Sequence, residues 1–252
     1  MQYQTLHLNI KNNIAHIQLN RPEVLNALSP ALVVELKQAF EAAANDYDVS
    51  VIILSGAGRA FSAGVDLKEM NESIQGGKFS QDEILQVGNE LIQLIQTMPK
   101  VCIAMVHGFC FTGALELALA FDLLYVADDA KLGDTHAKWG ILPKWGMSQR
   151  LPQKVGIMKA REMSFTAKAI SGKEAEQYGM ANKSLPLENL ESYVFDIAKT
   201  IASNSLQAVA AFKHLYHEGS HTTLQQGLHI EATFEKDITD RTEFLRDFLK
   251  NK

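Results

Sequence analysis

Three short stretches of this chain are apolar at every position, and they restrict the fold more than any other feature. Val51–Leu54, Val101–Val106 and Leu123–Val126 hold no polar residue. A strand with one wet face alternates polar with apolar residues, so strands apolar throughout are covered on both sides. Amphipathic helical patterns lie between them, at Glu83–Gln96 and Ala114–Phe121. Buried strands alternating with helices imply an α/β core with crossover connections. Two more strands precede it: Thr5–Ile10 and Ile14–Leu19, joined by Asn12-Asn13, read as a hairpin. Ser29-Pro30 then opens a helix, with the serine as N-cap and the proline in the first helical position.

After Val155 the pattern changes. Lys159–Phe165, Gly172–Tyr178, Leu187–Ser203, Leu206–His217 and Leu224–Asp240 all carry helical spacing, and the short segment Asn182–Leu185 is the last with strand character. The expected organisation is a core over residues 1–195 and a helical region over 196–252. Gly76-Gly77, with polar flanks, reads as a mobile loop.

Composition excludes several function classes. A net charge of −5 disfavours a general nucleic-acid or anionic-membrane binder, while leaving room for a local basic patch. Cys102 and Cys110 lie in apolar sequence without metal-ligand spacing, so they read as buried free thiols of a reducing compartment. Met1 to Ile10 shows neither a signal-peptide nor a transit-peptide pattern, and the apolar run Ala114–Ala120 is too short to span a bilayer. A cytoplasmic protein without membrane insertion, and without a bound metal, is the expectation.

Three segments carry chemistry. The first, Arg59–Met70, follows a buried strand and places Gly64 in a turn before a charged helix start. Glycine there allows positive φ or close approach of backbone, and successive N–H groups in such a turn can hold an anionic oxygen. A tight strand-to-helix turn with no ligand is the plainer reading. The second, His107–Asp122, runs from a strand through a Gly-containing turn into an apolar helix that bears Glu116 in its first turn. A carboxylate among Ala and Leu is costly to ionise unless hydrogen-bonded, which suits an acid/base group; an ordinary acidic residue complementing the helix dipole is the alternative. The third, Lys131–Leu151, combines Gly and Pro with His136 and two tryptophans, more aromatic mass than a surface loop needs. His136 suits acid/base work, or is simply a hydrogen-bonding loop residue.

In order and spacing these segments resemble the crotonase (enoyl-CoA hydratase/isomerase) superfamily. The resemblance rests on Arg21-Pro22 with Asn26-Ala27-Leu28, on Phe61–Lys68, on Gly113–Ala118 with Asp122, on Gly140–Pro143, on Gln149–Pro152 and on Ala175 with Tyr178-Gly179. It implies an α/β fold, a spiral of ββα units followed by a C-terminal helical trimerisation region, and hence a homotrimer or a dimer of trimers. It also implies an acyl-CoA thioester substrate, with coenzyme A entering as part of that substrate and no tightly bound cofactor. The family's two oxyanion-binding N–H groups fall on Val65 and Gly113. Its CoA-binding turn falls on Ala63, Val65, Asp66, Leu67 and Lys68, together with Gly113. Its two catalytic glutamates fall on Glu116 and on position 136, which here is His136. That departure leaves three chemistries in view: hydration or double-bond isomerisation with Glu116 as acid/base, another enolate reaction such as decarboxylation, or CoA binding without hydratase activity. The family's RNA-binding members carry a lysine-rich first helix. Ala31–Asn45 holds Lys37 alone and two glutamates, which argues against a nucleic-acid partner.

Overall fold

The computed structural model describes residues 3–250. The chain begins with the hairpin β1 (Leu6–Lys11) and β2 (Ile14–Leu19). Asn12 and Asn13 both take positive φ, 52° and 63°, as a two-residue hairpin turn of matching twist requires. Helix α1 (Pro30–Asn45) starts as its sequence dictates: the Ser29 hydroxyl accepts from the Leu32 N–H, and Pro30 occupies the first turn, where no donor is needed. β3 (Val51–Gly56) is buried along its length. Then come α2 (Leu67–Gln75), α3 (Gln81–Thr97), β4 (Val101–Val106), β5 (Phe109–Phe111), α4 (Gly113–Ala118), β6 (Leu123–Ala127) and β7 (Lys131–Gly133). The chain continues through α5 (His136–Trp139), α6 (Met147–Val155), α7 (Ile157–Thr166), β8 (Ile170–Ser171), α8 (Gly172–Gln177) and β9 (Lys183–Leu185). Four helices close it: α9 (Leu187–Ala202), α10 (Leu206–Gly219), α11 (Leu224–Thr233) and α12 (Arg241–Lys250).

The main sheet has the order β1-β2-β3-β4-β6-β9, and every pairing after the first hairpin is parallel. A second, three-stranded sheet, β5-β7-β8, is built from strands of two or three residues. In chain order β5 leads directly into α4 and β7 into α5, the helices that carry Glu116 and His136. Cys102 and Cys110 are buried and free, and burial pushes the Cys102 thiol up to about 12, which makes it inert. No described helix is long and apolar enough to cross a membrane.

Helix α9 follows the helical spacing read over Leu187–Ser203, with Leu190, Val194 and Ala198 buried against the strands of the main sheet. One boundary differs from the sequence reading. The expected helix Leu224–Asp240 ends at Thr233. Beyond it, Thr239 and Asp240 bond back to the start of α10: the Asp240 carboxylate accepts from the Ser205 hydroxyl, and the Thr239 N–H and hydroxyl pair with the Gln207 amide. These tertiary bonds outcompete continuation of the helix.

The C-terminal helices are tied to the core through one ammonium. Lys213 Nζ, on α10, donates to Ile95 O (2.7 Å), Lys100 O (2.8 Å) and Asp122 Oδ2 (2.8 Å), and the same carboxylate oxygen accepts from the Cys102 N–H. Removing one member of a buried pair leaves the other uncompensated, at about 3–5 kcal/mol. Lys213→Met is therefore expected to destabilise the chain by about 3 kcal/mol, the lower end because Asp122 keeps some solvent contact. Denaturant unfolding checks this: an unchanged midpoint would mean the ammonium is not what anchors α10.

Candidate active site

Two turns approach each other beside the small sheet. The first, Ser62–Asp66, is pinned by parallel bridges Ser62–Cys110 and Leu28–Val65, with the Leu28 N–H donating to Gly64 O and the Asp66 N–H donating to Leu28 O. The second, Phe111–Gly113, carries the chain from β5 into α4, and the Thr112 N–H donates to Gly133 O of the small sheet. Gly64 makes the approach possible. It has φ +101°, and a Cβ there would lie 2.2 Å from Thr112 Oγ1 and 2.8 Å from Phe111 O. Thr112 adopts φ 47°, ψ −119°, a conformation costing about 1–3 kcal/mol in a non-glycine residue. The strained turn delivers Gly113 next to Val65: a Cβ on Gly113 would stand 3.0 Å from Val65 Cγ2. Among the described residues, neither the Val65 nor the Gly113 N–H donates to any turn or loop acceptor. Two adjacent backbone donors are thus available to a ligand.

The remaining residues of the first turn do other work. Asp66 caps α2 by accepting from the Glu69 N–H, and its second oxygen pairs with Arg21 at 3.1 Å. The Ala63 N–H donates to Leu25 O. Leu67 is half exposed, and Lys68 extends into solvent, 4.0 Å from Glu72. No side chain of this stretch points to a specific contact beyond the fold.

Glu116 lies on α4, one turn past Gly113, and is buried with only 3% of its surface exposed. Its Oε1 accepts two backbone hydrogen bonds, from the Trp145 N–H (2.8 Å) and the Met147 N–H (3.0 Å). Such bonds hold the carboxylate in one rotamer and leave Oε2 to face His136, whose Nε2 stands 3.4 Å away. The Trp145 loop is itself locked. The indole sits against α3 where the chain has Gly88, a position whose Cβ would come within 2.3 Å of the ring, and its Nε1–H donates to Leu85 O. Arg150 donates to Trp145 O and to Gln96 Oε1, bracing the loop from the other side.

His136 is not in a loop. It opens the one-turn helix α5 and is buried, with 6% exposure. Its Nδ1 lies 2.6 Å from Asp134 Oδ1, and the other Asp134 oxygen accepts from the Ser164 hydroxyl on α7 at 2.6 Å. Burial works against charging the imidazole, yet the hydrogen bonds to Asp134 and Glu116 outweigh it and lift His136 to about 9. Asp134 is held below the usual carboxylate range: burial opposes this, but the His136 ring and the Ser164 hydroxyl prevail. His136 thus stands between the carboxyl groups of Asp134 and Glu116.

An apolar cavity of about 410 Å3 opens onto this array, with Ile141, Leu142, Met147 and Leu151 in its walls beside His136 and Asp134. A larger cavity, about 520 Å3, lies under α10 against Phe121 and Phe212 and contains none of the candidate residues. The structure places Glu116, His136, Val65 and Gly113, the residues the family resemblance singled out, in one region, and beside them Asp134, Ser164 and the Trp145 and Met147 backbones, which the sequence reading missed. Asp-x-His was the one signal available for the first of these. Backbone donors carry no residue signature.

The enoyl-CoA hydratase/isomerase family profile matches residues 9–249. The mitochondrial enoyl-CoA hydratase of Pongo abelii is 36% identical over 96% of this chain and 82% of its own. A probable peroxisomal enoyl-CoA hydratase of Arabidopsis thaliana is 35% identical over 86% of this chain and 80% of its own. The crystal structure of an enoyl-CoA hydratase from Bacillus anthracis superposes with a TM-score of 0.90 at 31% identity, covering 99% of this chain and 97% of that one.

Proposed function

The chain belongs to the enoyl-CoA hydratase/isomerase family and is an enzyme of that hydratase, isomerase or lyase type, and from that premise we propose that it hydrates or isomerises an enoyl-CoA thioester by way of an enolate. In this reading the Val65 and Gly113 N–H groups bind the thioester oxygen, Glu116 is the acid/base, and the 410 Å3 apolar cavity receives the acyl chain. Coenzyme A enters as part of the substrate along the turn Ala63–Lys68, held by backbone rather than by the side chains of Asp66, Leu67 or Lys68. The observation that carries the proposal is the arrangement around Glu116: one carboxylate oxygen fixed by two N–H groups, the other free beside an imidazole. Fixed donors where negative charge develops are worth about 3–4 kcal/mol each, and general acid–base catalysis adds about 10²–10⁴-fold.

Turnover of a panel of 2-enoyl-, 3-enoyl-, 3-hydroxyacyl- and malonyl-type CoA thioesters tests the reading. Interconversion of enoyl and 3-hydroxyacyl thioesters, or migration of the double bond, supports it. Turnover of malonyl-type thioesters alone would replace it with decarboxylation, and binding without turnover of any of the four would make the chain a CoA-binding protein.

We also infer a homotrimer or dimer of trimers. The C-terminal helices leave Phe212, Tyr216, Leu224 and Leu228 largely exposed, apolar area that a lone chain does not cover. Sedimentation at micromolar concentration is expected to show a trimer or hexamer of the 27.9 kDa chain, and a monomer there would contradict the assignment.

A further inference from the structure

Resting on that reading, we propose that Asp134 is a positioning residue that keeps His136 charged, so that Glu116 serves as the base and His136 as the acid. Asp134 Oδ1 engages both the His136 backbone N–H (3.2 Å) and ring Nδ1 (2.6 Å), which fixes the ring plane and directs Nε2 at Glu116. Ser164 holds the other oxygen of Asp134, so the carboxylate cannot rotate away. His136 also lines the apolar cavity, whereas Glu116 does not, so its ring is exposed to an acyl chain placed there.

The other charged groups around this array are few. Arg150 on α6 lies within electrostatic reach of Glu116, Arg161 on α7 lines the cavity, and Lys138, two residues after His136, is exposed. None of them competes with Asp134 for Nδ1.

The hydration step then balances. Glu116 Oε2 takes a proton from water as the oxygen bonds to the β-carbon. The electron pair of the double bond moves into the enolate held by Val65 and Gly113. His136 Nε2 gives its proton to the α-carbon, leaving a neutral imidazole and a protonated Glu116. Return of the proton from Glu116 to His136, across the present 3.4 Å separation, resets the site. Two glutamates would need one of them protonated at the start. Here the proton resides on the ring, stabilised by Asp134.

Nitrogen-15 NMR of the His136 ring tests this on the intact protein without any substrate. The wild type is expected to show a doubly protonated ring with a deshielded Nδ1 proton at pH 7, titrating near 9. Asp134→Asn is expected to move that titration down toward the ordinary range near 6.5. On a thioester that turns over, kcat/KM should fall with rising pH through about 9 in the wild type and at lower pH in Asp134→Asn. At pH 8 the shift leaves roughly 30-fold less imidazolium, read as a kcat loss with KM little changed. A neutral His136 ring at pH 7 in the wild type overturns the proposal, even if Asp134→Asn fails to fold. So does an unmoved ring titration in a folded Asp134→Asn protein. If no thioester turns over while the ring behaves as described, the functional reading fails and the Asp134–His136 assignment stands.

Discussion

Glu116→Gln is expected to lower kcat at least about 100-fold while leaving thioester affinity nearly unchanged. The substitution keeps side-chain size, and a glutamine carbonyl oxygen can still accept from the Trp145 and Met147 N–H groups that fix Oε1. What it removes is the capacity to take a proton on the atom facing His136. A structural role for Glu116 predicts otherwise: a glutamine that satisfies the same two donors would keep the fold and the rate. Steady-state kinetics with a melting curve for each protein separates the two. A near-normal kcat would move the chemistry off this residue.

The second large effect is expected at Gly64, which touches no substrate atom in the proposed arrangement through a side chain. Gly64→Ala places a methyl group 2.2 Å from Thr112 Oγ1 and 2.8 Å from the Phe111 carbonyl, at a φ that L-residues avoid. The φ alone costs more than about 1 kcal/mol. Relief of the clash requires the two turns to part, which carries Val65 away from Gly113. Losing one oxyanion donor reduces kcat by about 10²–10³-fold. The expected result is a folded, less stable protein whose kcat falls by that order. Retention of full activity in Gly64→Ala would show that the proximity of these turns is not what stabilises the reacting thioester.

Much of the fold was legible because local chemistry and tertiary demand coincide. The Asn12-Asn13 turn needs left-handed residues and has them, and Ser29-Pro30 starts a helix by the same rule in sequence and in space. The strands Val51–Gly56 and Val101–Val106 are covered on both faces, as their unbroken apolarity demands. What escaped is held by tertiary contact. Strands β5, β7 and β8 are too short to show a period, and they exist because neighbouring backbone completes them. Helix α6 contains Pro152, six residues in, which masks it as a loop in a Gly- and Pro-rich stretch. The site divides in the same way. Glu116 and His136 stood out by residue type and setting, and Val65 and Gly113 through the family resemblance, while the partners around them are backbone N–H groups, an aspartate two residues before the histidine and a serine thirty residues beyond that aspartate. Their function follows from where the chain folds, which no pattern of residue types along it announces. His136 illustrates the gain: the family resemblance placed it where the family pattern has a carboxylate, and the structure sets its ring between Asp134 and Glu116.

Deuterium incorporation tests the central claim most directly. A saturated acyl-CoA thioester incubated with the enzyme in heavy water cannot be hydrated, yet its α-proton can be removed and replaced through the His136 ring beside the oxyanion donors. Mass spectrometry is expected to show deuterium at the α-carbon with the wild type and with Glu116→Gln, and none above background with His136→Ala, while Glu116→Gln alone loses hydration of the matching 2-enoyl thioester. Loss of exchange in Glu116→Gln with full exchange in His136→Ala would reverse the two roles, and no incorporation by the wild type would contradict the enolate itself.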